Sequence, residues 1–244
     1  MRTPIFYGVL ENSKAIVLED LSNFKRTPEF SLEMALKIVD AIADMHVHFR
    51  GASLECLAHK SNFMIGFMKE NFPPFKSIWG NTIGGETMNL FECAVNFCED
   101  SFDTLKSPPT TLIHGDLKLP NLFWDESSGG KPIFIDWQYA CAGKGIEDIV
   151  FMLVESCPIR LFADLAKPII NSYYDKIQNS SGVLVPPDIR NTQTSCALAG
   201  FPLFVAIWFG TIDRSCLEDP NFPFLYILRL ANAFRELYKT SSYL

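Results

Sequence analysis

The segment His114-Gly115-Asp116-Leu117-Lys118-Leu119-Pro120-Asn121, followed after a polar stretch by Ile133-Phe134-Ile135-Asp136-Trp137, constrains this 244-residue chain more than any other part. Thr110 to Ile113 is rich enough in β-branched residues to predict a short strand entering the loop. Asn121 to Trp124 and Ile133 to Asp136 predict a hairpin across the turn Asp125-Glu126-Ser127-Ser128-Gly129-Gly130. Such a hairpin places Asp116, Asn121 and Asp136 on loops and strand ends braced by sheet.

Most of the remaining pattern is helical. Apolar residues from Leu32 to His46 recur at helical spacing, with Ser31 as N-cap and Gly51 as stop. Pro73-Pro74, Gly80, Gly84 and Gly85 predict short helical pieces and loops between Asn62 and Glu86. Helices are predicted from Thr87 to Leu105, Ile149 to Cys157, Ile159 to Ile177, Gln193 to Ile212 and Leu225 to Tyr238. Ile5 to Tyr7 and Ala15 to Leu18 read as a small hairpin. The architecture is α+β, a helical body carrying a small catalytic hairpin.

Composition narrows the function. With 48% hydrophobic residues the chain buries a sizeable core. Its net charge of -7 disfavours nonspecific attraction to nucleic acid or an anionic membrane. Seven cysteines without a Cys-x-x-Cys pair indicate neither a zinc knuckle nor a disulfide framework, so a reducing cytoplasm is expected. No secretory leader pattern opens the sequence. The uncharged run from Cys196 to Ile212 carries Gly200, Pro202 and Gly210, and falls short of the ~20 residues that span a bilayer; it reads as buried helix.

The chemistry follows from residue types and spacing. His-x-Asp-x-x-x-x-Asn with a second Asp after an apolar strand is the kinase arrangement. Phosphoryl transfer asks the protein for a carboxylate that orients the attacking hydroxyl and for oxygen ligands to magnesium on the nucleotide. Asp116 fills the first role, where a bare loop aspartate would only make an Asx-turn. Asp136, at the end of an apolar strand, is expected to be costly unless a cation compensates it, and Mg2+ with Asn121 as neutral ligand would do so. His114 reads as a loop-shaping histidine more than a proton carrier, and His46 as a satisfied core histidine. Lys118 either reaches the γ-phosphate of ATP or is a solvated loop lysine. Asp148 opens an apolar helix and is expected to cap backbone donors of the loop.

These residues resemble the choline kinase and aminoglycoside phosphotransferase superfamily, in particular its ecdysteroid-kinase-like branch. The matching pieces are Leu18-Glu19-Asp20-Leu21, Asp44-Met45-His46, His114-Gly115-Asp116 with Asn121, Ile135-Asp136-Trp137-Gln138 and Gly145-Ile146-Glu147-Asp148-Ile149. Gln138 points to that branch, because choline kinases tend to carry an acid there. The resemblance implies a protein-kinase-like fold, with residues 1–22 as an N-lobe remnant and hinge and residues 23–244 as the C-lobe. It implies Asp116 as catalytic base, Asn121 and Asp136 as magnesium ligands, and adenine against the hinge backbone at Glu19, Asp20 and Leu21. The substrate would be a small-molecule hydroxyl, with neither nucleic acid nor membrane as partner.

Only residues 1–21 precede the C-lobe, which leaves no room for a glycine-rich strand pair, a strand lysine and its partner helix. Either a truncated product of a longer gene or a C-lobe kept as a catalytically silent binding module is then expected. A metal-dependent hydrolase built on His114, Asp116 and Asp136 is a weaker reading, lacking the further ligands of a two-metal site. The acceptor would lie among residues 62–86 and around Trp208 and Phe209, whose aromatics either stack on a ligand or belong to the core. An apolar patch is expected around Ile5, Phe6 and Val17.

Overall fold

The computed structural model describes residues 1–10, 14–26, 29–54, 57, 61–213, 215, 217 and 219–238. Its helical body begins with α1 (Leu32–His48), where the Ser31 hydroxyl accepts a hydrogen bond from the Met34 amide at 3.3 Å. One face of α1, from Met34 through Ile38, Ile42 and His46, is buried, largely against α6 (Ile159–Ser181). The predicted cap and periodicity hold here because apolar side chains at i, i+4 and i+8 form one stripe.

α2 (Ser61–Ile83) corrects the expectation of broken pieces, since one helix runs through Pro73 and Pro74. An interior proline costs roughly 3 kcal/mol through its lost N–H and its clash with the preceding turn. Met64, Met68, Phe72, Phe75, Trp79 and Ile83 are buried along one side of α2. At about 1.5–3 kcal/mol for each large side chain, their burial outweighs the two prolines. Phe72, Trp79 and Phe91 stack on Phe75, so these aromatics are core.

Two predicted helices are split. α3 (Gly85–Asn96) and α4 (Cys98–Lys106) meet at Phe97, and α7 (Pro187–Ala199) and α8 (Phe201–Thr211) meet at Gly200. Gly200 leaves helical geometry at ψ -121, and Pro202, which has no N–H to donate, falls in the first turn of α8. Pro223 likewise starts α9 (Phe222–Leu237) and makes no separate turn. Residues 187–211 contain an 18-residue window apolar enough to cross a membrane by composition, with mean hydropathy 1.5, yet 72% of that window is buried inside the protein. α5 (Ile146–Ser156) lies at the centre, with every residue from Ile146 to Val154 buried.

The strands are short. β1 (Phe6–Leu10) and β2 (Ala15–Leu18) form the expected antiparallel pair; the Glu11, Asn12 and Ser13 of its turn lie outside the described residues. β5 (Leu122–Asp125) and β6 (Lys131–Phe134) form the expected hairpin, with Phe123 opposite Ile133. Two further strands escaped the sequence reading: β3 (Lys25–Arg26), which extends that sheet beside β5, and β7 (Cys141–Gly143), which backs β4 (Thr111–Ile113). Arg2 adds a bridge to Ile133, and its carbonyl accepts from the Phe134 amide at 3.0 Å.

The β1–β2 hairpin leaves Phe6, Tyr7, Val9, Leu10 and Ile16 more than half exposed. A contiguous apolar surface of this kind is an association liability. Replacing Phe6 and Ile16 by Thr is expected to raise solubility and reduce light scattering at high concentration while leaving the melting temperature within about 2 °C, because a small change in stability moves Tm by only a few degrees. Unchanged scattering would show that this hairpin does not drive association.

Candidate active site

Asp148, in the first turn of α5, is the structural centre of the loop. Its Oδ2 accepts from the His114 amide at 2.8 Å, and Oδ1 from the Gly115 amide at 2.9 Å. His46 Nε2 lies 3.1 Å from the same carboxylate, and His46 Nδ1 lies 3.2 Å from the Tyr173 hydroxyl. Burial pushes the Asp148 carboxyl up, but the His46 hydrogen bond, the charge interactions with both histidines and the His114 amide outweigh it and hold the group below its ordinary 3.8. The expected cap is therefore present, and His46 is the satisfied core histidine.

The loop then turns at Gly115, where φ is +78 and a Cβ would collide with the Tyr139 carbonyl, so glycine is required. His114 is fully buried. Its Nε2 lies 2.8 Å from the Ile135 carbonyl and its Nδ1 accepts from the Asp116 amide at 3.2 Å. With Nε2 on the Ile135 carbonyl and Nδ1 accepting from the Asp116 amide, neither nitrogen remains for a substrate proton. His114 thus shapes the loop and ties it to the strand leading to Asp136.

Asp116 is 4% exposed, and Lys118 Nζ pairs with its Oδ2 at 3.0 Å. Asn121 Nδ2 donates to the same Oδ2 at 3.0 Å and to the Asp116 carbonyl at 2.9 Å. Both bonds require the amide NH2 to face Asp116, so Asn121 Oδ1 must face away. That buried oxygen has no protein partner among the described residues. An unsatisfied buried acceptor is uncommon and fits a hard cation or its water ligand. The Ile135 amide donates to the Asn121 carbonyl at 3.1 Å, which sets Asp136 beside Asn121 across the hairpin.

Asp136 departs from the sequence expectation. It lies two residues beyond β6, is exposed, and takes φ +62; its carboxylate meets the Gln138 amide at 3.4 Å. Solvent removes the predicted desolvation cost, and the left-handed backbone is the unusual feature, costing about 1–2 kcal/mol for a residue with a Cβ. Among the described residues no three His, Cys, Asp or Glu side chains converge on one point to hold a metal. Two protein oxygen ligands plus phosphates is the usual magnesium arrangement, and Asn121 with Asp136 supplies that number.

In the segment expected to be a hinge, Glu19 accepts from Arg2 at 2.7 Å and from the Ile5 amide at 3.1 Å. Asp20 closes a turn on Ser22, whose amide and hydroxyl hold its carboxyl below the ordinary value. The Leu21 carbonyl accepts from Phe24 at 2.9 Å. Arg2 also pairs with Asp125 at 2.7 Å, tying residues 2–19 to β5. The carboxylates of Glu19 and Asp20 are thus committed locally, and this segment can offer a ligand mainly backbone.

Glu155 went unnoticed in the sequence, although a single acid ending an apolar helix was a usable signal. Burial raises its pKa from 4.5 to about 7, opposed by Lys118 and Arg229 and reinforced by Asp116. Next to it the Ser156 hydroxyl accepts from the Leu119 amide at 3.1 Å, and Arg229 donates to the Glu155 carbonyl. The last turn of α5 therefore abuts the loop on the side of Lys118.

Residues 90–178 match the model of the phosphotransferase enzyme family. No curated protein matches the chain in sequence. Among solved structures, a choline/ethanolamine kinase family protein from Mesorhizobium loti aligns with TM-score 0.64 and 13% identity, over 96% of this chain and 74% of that one. Choline kinase from Streptococcus pneumoniae aligns at 0.57 and 13%, over 95% and 74%. An amicoumacin kinase in complex with AMP-PNP, Ca2+ and its antibiotic aligns at 0.59 and 10%, over 99% and 74%. The chain has the protein-kinase-like fold, and its matched segment contains the whole loop from His114 to Asp148.

Two outcomes follow. Asp148→Ala strands the His46 ring and two loop amides and should cost about 3–5 kcal/mol in denaturant unfolding. The lowered pKa means Asp148 stabilises fully above pH 3.8 and loses that contribution as pH falls. For Glu155 the sign is opposite, with stability present below pH 4.5 and lost as pH rises to about 7, on the order of 3 kcal/mol. Unfolding curves of Glu155→Gln across that window should lose this slope; an unchanged slope would assign it elsewhere.

Proposed function

We propose that this chain belongs to an ATP- and Mg2+-dependent small-molecule O-phosphotransferase, with Asp116 as the catalytic base. The observation that carries the reading is the buried Asp116 carboxylate, fixed by Asn121 Nδ2 and Lys118 Nζ, with Asn121 Oδ1 left free. The family match and the kinase structures that share the fold support the same reaction class. The ecdysteroid-kinase-like branch is our assignment on Gln138.

Asp116 orients and deprotonates the acceptor hydroxyl, whose oxygen bonds to the γ-phosphorus as the bond from that phosphorus to the bridging oxygen breaks; ADP leaves with that electron pair. Lys118, already on Asp116, has further N–H donors for a phosphoryl oxygen. Asn121 and Asp136 would hold magnesium, which supplies charge neutralisation for the transferred phosphate. The backbone from Glu19 to Leu21 would receive adenine. An apolar recess lined by Met64, Tyr139, Phe151 and Phe201 borders Gly115 and suits an organic acceptor.

Asp116→Asn should lower kcat about 10²–10⁴-fold in an ATP-consumption assay over amino alcohols, aminocyclitols and sterols, while the melting curve is retained. Asn121→Ala should weaken nucleotide binding in calorimetry with Mg2+ and leave metal-free binding unchanged. Turnover surviving in Asp116→Asn would overturn the assignment of the base, and an absence of Mg2+-dependent nucleotide binding would favour the silent-module reading.

A further inference from the structure

A second polar cavity lies behind the loop, on the far side of Asp148. Its walls include His46 and Arg50 from α1 and its end, Lys144 and Gly145 before α5, Tyr173 from α6 and Gln193 from α7, and its volume is about 80 Å³. One water needs roughly 10–15 Å³ by this kind of measure, so the space admits an ion of several heavy atoms.

Neither cation on its wall is directly ion-paired among the described residues, although the acids Glu147 and Asp148 lie nearby. Lys144 is 8% exposed, and its ammonium donates to the Ser107 and Pro109 carbonyls at 2.5 and 3.1 Å, which leaves one donor. No carboxylate among the described residues comes within ion-pair distance of Lys144 Nζ, and Arg50 likewise has no hydrogen-bonding or ionic partner among them. Glu147, the nearest acid, spends Oε1 on the Lys144 backbone amide at 2.7 Å. Burial first, then the Arg50 charge, push the lysine below its ordinary value, with Glu147 opposing.

A buried ammonium beside a second cation is costly, and proteins keep such charges where something compensates them. In a chain of net charge -7, two unpaired cations on one cavity cannot be ascribed to a general excess of basic residues. Gln193, whose Oε1 accepts from the Tyr174 hydroxyl at 3.1 Å, has amide N–H donors suited to an oxyanion, while Val47, Ile146, Ile177 and Val185 make the rest of the wall largely apolar.

We infer that this cavity is an anion site, in which Arg50 and the third donor of Lys144 hold a small phosphate-type dianion, free or as a monoester. The site is distinct from the Asp116 constellation and does not depend on the reaction proposed above. His46 lines it and also holds Asp148, so occupancy is one residue removed from the amides of His114 and Gly115. Gly145 keeps this wall thin, since a Cβ there would meet the Tyr173 hydroxyl and His46 Nδ1.

The test is calorimetric titration of the intact chain with inorganic phosphate and, separately, with glycerol phosphate, each repeated at high chloride. Arg50 is exposed, so Arg50→Ala does not threaten the fold and should weaken phosphate binding at least about tenfold, as loss of a charged partner does. Lys144→Met should abolish binding yet keep or raise the melting temperature in phosphate-free buffer, because it replaces an uncompensated buried charge. Tighter binding of one titrant identifies free phosphate or a monoester as the occupant. Absence of saturable phosphate binding, or binding that survives Arg50→Ala and disappears in Lys118→Ala, overturns the inference by placing the anion at the catalytic loop.

Discussion

The active loop depends on one buried carboxylate. Asp148 is 1% exposed and holds the amides of His114 and Gly115 together with the His46 ring. Those two amides belong to a turn that cannot make ladder bonds, and without Asp148 they would be buried donors lacking an acceptor. His114 carries the order onward, since its two ring nitrogens join the Asp116 amide to the Ile135 carbonyl. Three groups placed far apart in sequence are thus fixed by a chain of hydrogen bonds that starts inside α5.

Around Asp116 the charges alternate. Lys118 pairs with it directly, Glu155 sits near Lys118 and Asp116, and Arg229 donates to the Glu155 carbonyl. An acidic chain has no long-range attraction for a nucleotide, so a polyanion must be received by local cations and by metal. With Glu155 half titrated near neutrality, the charge beside Lys118 varies over the physiological range.

The loop was legible in its spacing, which brings Asn121 onto Asp116, and so were the Ser31 cap and the Asp148 cap. What failed had physical reasons. Pro73 and Pro74 read as breakers, yet buried aromatics on one face of α2 overrode the backbone penalty. Gly200 sits in an apolar run too uniform to show a break, and the short β3 and β7 exist only because β5 and β4 offer edges to pair with. Arg2 and Lys144 act through partners distant along the chain, for which local pattern carries no signal. Asp136 was expected to be desolvated because strand ends usually are; its left-handed turn swings it into solvent.

The account stands or falls on whether Asn121 and Asp136 share one divalent ion with a nucleotide. Electron paramagnetic resonance of Mn2+ titrated into the chain with a non-hydrolysable ATP analogue reads this directly. Bound Mn2+ that requires the nucleotide, and that is lost in Asn121→Ala and in Asp136→Asn, is the predicted result. Equal Mn2+ binding by the native chain and both variants would contradict it.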